Sequence, residues 1–135
     1  MKINKIVLYN FNSYEGMNEF DFVSEDENRN IVLIGGKNGA GKTSLFTAIK
    51  LALYGPLAYG YAGVNPRYIS KIKECINSKA FQKDIVEAEV RIYISLMVER
   101  EIIEYEITRK WDYTKQKLAE EYYVKKEGEL LNESE

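Results

Sequence analysis

The chain has no histidine and one cysteine, Cys75. These absences exclude a Cys/His metal cluster and an internal disulfide, and they fit a reducing cytoplasm. Any metal chemistry would fall to oxygen ligands, which suits Mg2+. No stretch approaches the roughly 20 apolar residues of a membrane span. Residues 1–6 alternate polar and apolar side chains where a signal peptide would carry an apolar core. A strong charge of either sign is missing as well. The formal net charge is −2 over 135 residues, which is no global signature of a nucleic-acid binder. One local exception is Arg67, Lys71, Lys73, Lys79 and Lys83, which read first as a solvated helix face and second as a DNA-backbone contact. Aspartate is scarce: Asp21, Asp26, Asp84 and Asp112, none of them after a buried apolar strand.

What is present is a phosphate loop. Gly36, Lys37, Asn38, Gly39, Ala40, Gly41, Lys42 and Thr43 complete the pattern G-x-x-x-x-G-K-[ST], the Walker A motif. Residues 30–34 (Asn-Ile-Val-Leu-Ile) read as a short buried strand entering it. Leu45, Ala48, Ile49, Ala52 and Leu53 repeat at helical spacing after it, so a helix is expected from Gly41 to Tyr54, stopped by Gly55-Pro56. In that context the glycines let backbone amides curl around a phosphate, and the helix N-terminus adds its positive end. Lys42 is expected to bridge the β- and γ-phosphates, with the Thr43 hydroxyl on Mg2+.

The remaining pattern predicts one α/β domain with a β-rich second half. Strands are expected over 3–11 and 18–23, separated by a turn at Asn10, Asn12, Ser13 and Gly16. Residues 57–66 read as a loop, and 68–77 as a short helix with Ile69, Ile72 and Ile76 on one face. From Val86 to Leu96 apolar and polar residues alternate strictly, a half-buried strand. Further strands follow at 103–107, 118–126 and 130–131, with turns at Glu99-Arg100-Glu101 and Glu127-Gly128. Connections this short demand an antiparallel meander. The 11 tyrosines fit strands before they fit a base-stacking platform.

Two strands precede the loop, and Asn38 sits inside it, giving a G-x-N-G-x-G-K-[ST] form that resembles ABC-type ATPases. Asn10-Phe11-Asn12-Ser13-Tyr14, residues 43–49 and residues 51–55 extend the likeness to the N-terminal lobe of an SMC-like head. Within that class, residues 34–43, Leu53-Tyr54-Gly55 and the helix at 68–77 are most similar to the DndD family, the ATPases of bacterial DNA phosphorothioation (DNA sulfur modification). SMC-like ATPases of double-strand-break repair are the alternative.

The resemblance implies a P-loop NTPase fold of ABC/SMC-like type, with ATP and Mg2+ as cofactors. The nucleotide would be held by Gly36, Asn38, Gly39, Ala40, Gly41, Lys42, Thr43 and Ser44. It implies pairing with a second head on ATP binding, and work with a C-terminal lobe, other phosphorothioation proteins and DNA through the complete assembly. It also places Asn12 where related repair ATPases often carry a nucleotide-reaching arginine, and puts base and ribose near the Asn12-Ser13 turn and the loop before Tyr68.

The Walker B Asp-Glu, the Ser-Gly signature and the switch histidine of such an enzyme are not in this sequence. The nearest Walker B candidate, residues 92–98 with Glu99, lacks the Asp and alternates like an ordinary strand. No residue is assigned as catalytic, and the chain is expected to bind ATP but turn it over negligibly. A self-contained small NTPase or kinase would need the missing carboxylates. An interaction module that has lost nucleotide binding is opposed by the intact Lys42-Thr43.

Overall fold

Strict alternation in the second half of the chain builds a sheet with one apolar face, and that face has to be covered. The computed structural model describes residues 2–22 and 39–131, with side chains inside the first helix from Leu45 onward. The expected strand at 30–34 and the loop residues Gly36 and Asn38 lie outside the described residues, as does the end of the expected strand at Val23. Among the described residues six strands form one sheet: β1 (Lys2–Phe11), β2 (Tyr14–Asp21), β3 (Glu87–Val98), β4 (Glu101–Asp112), β5 (Ala119–Lys126) and β6 (Glu129–Leu130). Their spatial order is β2-β1-β3-β4-β5-β6, and every neighbouring pair is antiparallel. The meander expected from the short connections is therefore present from β3 to β6.

Two helices cover the inner face: α1 (Gly39–Tyr54) and α2 (Pro66–Cys75). Ile6, Leu8, Ala88, Val90, Ile92 and Ile107 point inward and form one core with Leu45, Ala48, Leu51 and Ala52 of α1 and Tyr68 and Ile72 of α2. The outer face is a grid of opposite charges, with Lys5–Glu19, Arg91–Glu89, Arg91–Glu106 and Lys110–Glu87 ion pairs. Antiparallel sheets commonly keep one wet face in this way.

Several boundaries differ from the sequence expectation. β2 starts at Tyr14, not residue 18, because the turn after β1 is tight: Asn10 and Asn12 both take left-handed backbone, each with φ 50°. The Asn10 side chain accepts from Gly16 N at 2.8 Å and donates to the Glu87 carbonyl at 3.2 Å, so it replaces lost ladder bonds. α1 begins at Gly39 rather than Gly41. The expected loop at 57–66 opens with a 3-10 turn over Gly55–Tyr59.

α2 begins earlier than expected, since Asn65 caps it by accepting from Tyr68 N at 2.8 Å and Pro66 fits the first turn. Its buried stripe is Tyr68, Ile72 and Cys75; Ile69 is only half-buried, and Ile76 leaves the helix to bridge Phe11.

Candidate phosphate-binding site

Gly39, Ala40, Gly41, Lys42, Thr43 and Ser44, the second half of the loop motif and its following serine, are the first six residues of α1. Starting the helix inside the motif leaves the first amides without intrahelical acceptors. No acidic residue stands in the first turn, so the helix's own side chains do not compensate the positive pole. That end of α1 fits an anionic ligand such as the phosphates of a nucleotide.

At 16 residues, α1 is a strut about 24 Å long. Leu45, Ala48, Leu51 and Ala52 seat it on the sheet, all nearly or fully buried. Its C-terminal end has no basic residue of its own in the last turn. Arg109 of β4 supplies one. Arg109 Nε donates to the Ala52 carbonyl at 3.3 Å, Nη1 pairs with Glu120 at 3.3 Å, and the guanidinium lies 4.2 Å from the centroid of Tyr122. The chain passes over this guanidinium at Gly55, with φ 56°, where a Cβ would stand 2.5 Å from Arg109 Nη1. Gly55 thus serves close approach as well as helix termination.

Glu120 in turn accepts from Trp111 Nε1 at 2.7 Å and from the Tyr68 hydroxyl. Burial, with the Glu120 carboxylate as the second cause, holds the Tyr68 phenol far above its ordinary range, so it remains a donor. A charged pair with side chains only 8% and 12% exposed needs such satisfaction to be tolerated. The network ties α1, α2, β4 and β5 together. Sequence reasoning missed it because its partners stand 43 and 57 residues apart. The one available signal was that Arg109 falls on the inward register of β4, between Ile107 and Trp111.

The Asn12 turn and the segment before Tyr68 meet at Cys75. Asn12 N donates to the Cys75 carbonyl, the Asn77 side-chain amide donates to the Asn12 carbonyl at 2.8 Å, and Tyr59 Oη lies 3.9 Å from Cys75 Sγ. Burial pushes the Cys75 thiol up, so it stays neutral and is no nucleophile. Glu99 sits exposed in the β3–β4 turn with φ 49°, an ordinary hairpin position. Of the basic run, Lys79 is paired with Glu15 at 3.3 Å, while Lys71 and Lys73 lie over the rings of Tyr59 and Tyr113. Among the described residues no group of acidic or cysteine side chains could hold a metal ion, and no helix is long and apolar enough to cross a membrane.

A family model described as AAA domain matches residues 5–135, which is nearly the whole chain. No curated protein matches it.

Proposed function

The chain belongs to the AAA domain family of P-loop ATPases, and from that premise we propose that it is the N-terminal, ATP-binding lobe of an SMC-like ATPase. The observation that carries the proposal is the continuity of the Walker A motif with a helix that starts at Gly39 and is anchored at its far end by Arg109. The amides from Gly36 to Gly41 would cradle phosphates, with Asn38 and Ser44 adding side-chain contacts. Lys42 would place its ammonium between the β- and γ-phosphates, and the Thr43 hydroxyl would hold Mg2+. Bound Mg-ATP supplies the scissile phosphoanhydride. The residues here would bind and orient it, and among the described residues none is assigned to activate water.

Hydrolysis would therefore need a further lobe. α1 supports this reading. Its outward stripe carries Phe46 at 68% and Tyr54 at 58% exposure on either side of the exposed Lys50, so two large rings stand uncovered away from the sheet. A further lobe would cover those rings. Binding of ATP would then pair two complete heads. The role in DNA phosphorothioation rests on the resemblance of residues 34–43, Leu53-Tyr54-Gly55 and 68–77, and it makes the whole protein an ATP-gated clamp or sensor on DNA.

The test is titration with a fluorescent ATP analogue and Mg2+, beside Lys42→Ala, with circular dichroism on both. Wild-type binding lost in a folded Lys42→Ala protein is the expected result. Undiminished binding by that variant would overturn the site. Mg-ATP turnover by the chain alone, well above that of Lys42→Ala, would overturn the half-head reading instead.

A further inference from the structure

A second concave surface lies where α2 ends and the β4–β5 connection crosses it. It encloses about 500 Å3, with Val86 as its floor. Lys73, Lys83 and Lys115 stand around it, facing one carboxylate, Asp84. Lys5, Lys79, Arg91, Arg109 and Lys110 sit in ion pairs with nearby carboxylates. Among the described residues Lys83 and Lys115 have no such partner, and three lysines against one carboxylate give the groove a net positive field.

Its wall is aromatic. Phe81 and Tyr113 meet edge to face with centroids 6.1 Å apart, and Phe81 is 40% exposed. The Lys73 ammonium stands 5.2 Å from the Tyr113 centroid. The far rim is built with care. Lys115 and Gln116 both hold left-handed backbone, at φ 59° and 60°, a conformation that non-glycine residues seldom take. They are kept there by Thr114, whose amide donates to Asp112 at 2.8 Å and whose hydroxyl accepts from Val86 N at 3.2 Å. Such backbone persists only where its surroundings enforce it.

We propose that this groove binds single-stranded nucleic acid, with Lys73, Lys83 and Lys115 on the phosphates and a base stacked against Phe81 and Tyr113. A small phosphorylated molecule suits it less, because most of the lining side chains are exposed and a small ligand needs most of its surface covered. A duplex suits it less too, because its bases offer no free face to the rings. The site is independent of the phosphate loop, and its failure would leave the ATP reading untouched.

The experiment is fluorescence anisotropy of a labelled oligo-dT strand of 12 nucleotides with the 135-residue chain, over a series of salt concentrations. Wild type should bind at low salt, with log K falling against log salt. The triple variant Lys73→Glu, Lys83→Glu, Lys115→Glu should flatten that slope by about two, at roughly 0.7 per lost contact. Phe81→Ala should weaken binding by about tenfold at an unchanged slope. All substituted side chains are exposed, and circular dichroism checks that the variants fold. As a second readout, ultraviolet cross-linking of a bromouridine-substituted strand should label peptides containing Phe81 or Tyr113. No binding at low salt would overturn the proposal. So would an unaltered slope in the triple variant, or duplex DNA bound as well as the single strand with Phe81→Ala silent.

Discussion

Gly55→Ala adds one carbon at the point where the chain crosses Arg109, and the structure gives its cost. The new Cβ would stand 2.5 Å from Nη1, 2.8 Å from Cζ and 3.2 Å from Nη2. The guanidinium has no room to retreat, being held by the Ala52 carbonyl, by Glu120 and by the Tyr122 ring. Two costs follow. Left-handed backbone at φ 56° costs alanine about 1–2 kcal/mol relative to glycine. Displacing Arg109 disturbs a buried pair whose outright loss is worth about 3–5 kcal/mol, and since Glu120 keeps Trp111 and Tyr68 we expect about 2–3 kcal/mol of that.

The sum is about 3–5 kcal/mol, a large share of a small domain's stability. Gly60→Ala is the control: its φ is 81°, but nothing lies within 4 Å of the added carbon. It should cost only the backbone term, about 1–2 kcal/mol. Urea unfolding followed by the single tryptophan, Trp111, which is 1% exposed, reads both. In an Arg109→Ala background the Gly55→Ala cost should fall to that of Gly60→Ala. If the two glycine variants differ by less than about 0.5 kcal/mol in the wild-type background, the clash argument is wrong.

Two further outcomes follow from the same reasoning. Asn77→Ala removes the side-chain bond to the Asn12 carbonyl and the cap on Lys79 N, and should cost about 2–3 kcal/mol in urea unfolding with faster hydrogen exchange at Lys79; unchanged stability would show that the β1–α2 latch is ornamental. Thr114, through its hydroxyl and its amide, holds the Asp112 carboxyl below its ordinary value. A depressed carboxylate contributes stability that is complete above its unfolded value, about pH 4, and is lost as pH falls through the folded one. Asp112→Asn keeps an acceptor for Thr114 but cannot titrate, so its stability should decline less than wild type between pH 5 and about pH 2.5, and parallel declines would remove the effect.

The parts legible in the sequence were those with a local period. Alternation at residues 86–96 and 103–107 placed β3 and β4, and the spacing of Leu45, Ala48 and Ala52 placed the sheet-facing side of α1. The stripe on α2 was misjudged because Ile69 and Tyr68 are adjacent, and the larger ring took the core position. Hydropathy ranks isoleucine first there. It does not see that the Tyr68 hydroxyl has a buried carboxylate to meet. The tight turn at Asn10 and Asn12 was legible as a turn but not in its register, since that depends on Asn77, 65 residues from Asn12. Of the phosphate site, residue identities came entirely from sequence, while the bearing beneath α1 came entirely from structure.

That bearing explains how a helix with such poor end chemistry holds a fixed place. α1 has no acid in its first turn and no base in its last, so its own residues do nothing for its dipole. The sheet supplies the missing cation at the negative pole, where Arg109 meets the Ala52 carbonyl, while in the proposed function a phosphate would serve the positive pole. An acidic residue in the first turn would have stabilised the free helix and competed with phosphate for the same amides. Stabilising the opposite end from β4 avoids that competition. The helix then gains stability at the end away from the motif, and in the proposed function its first amides, which have no intrahelical acceptors, would face the phosphates.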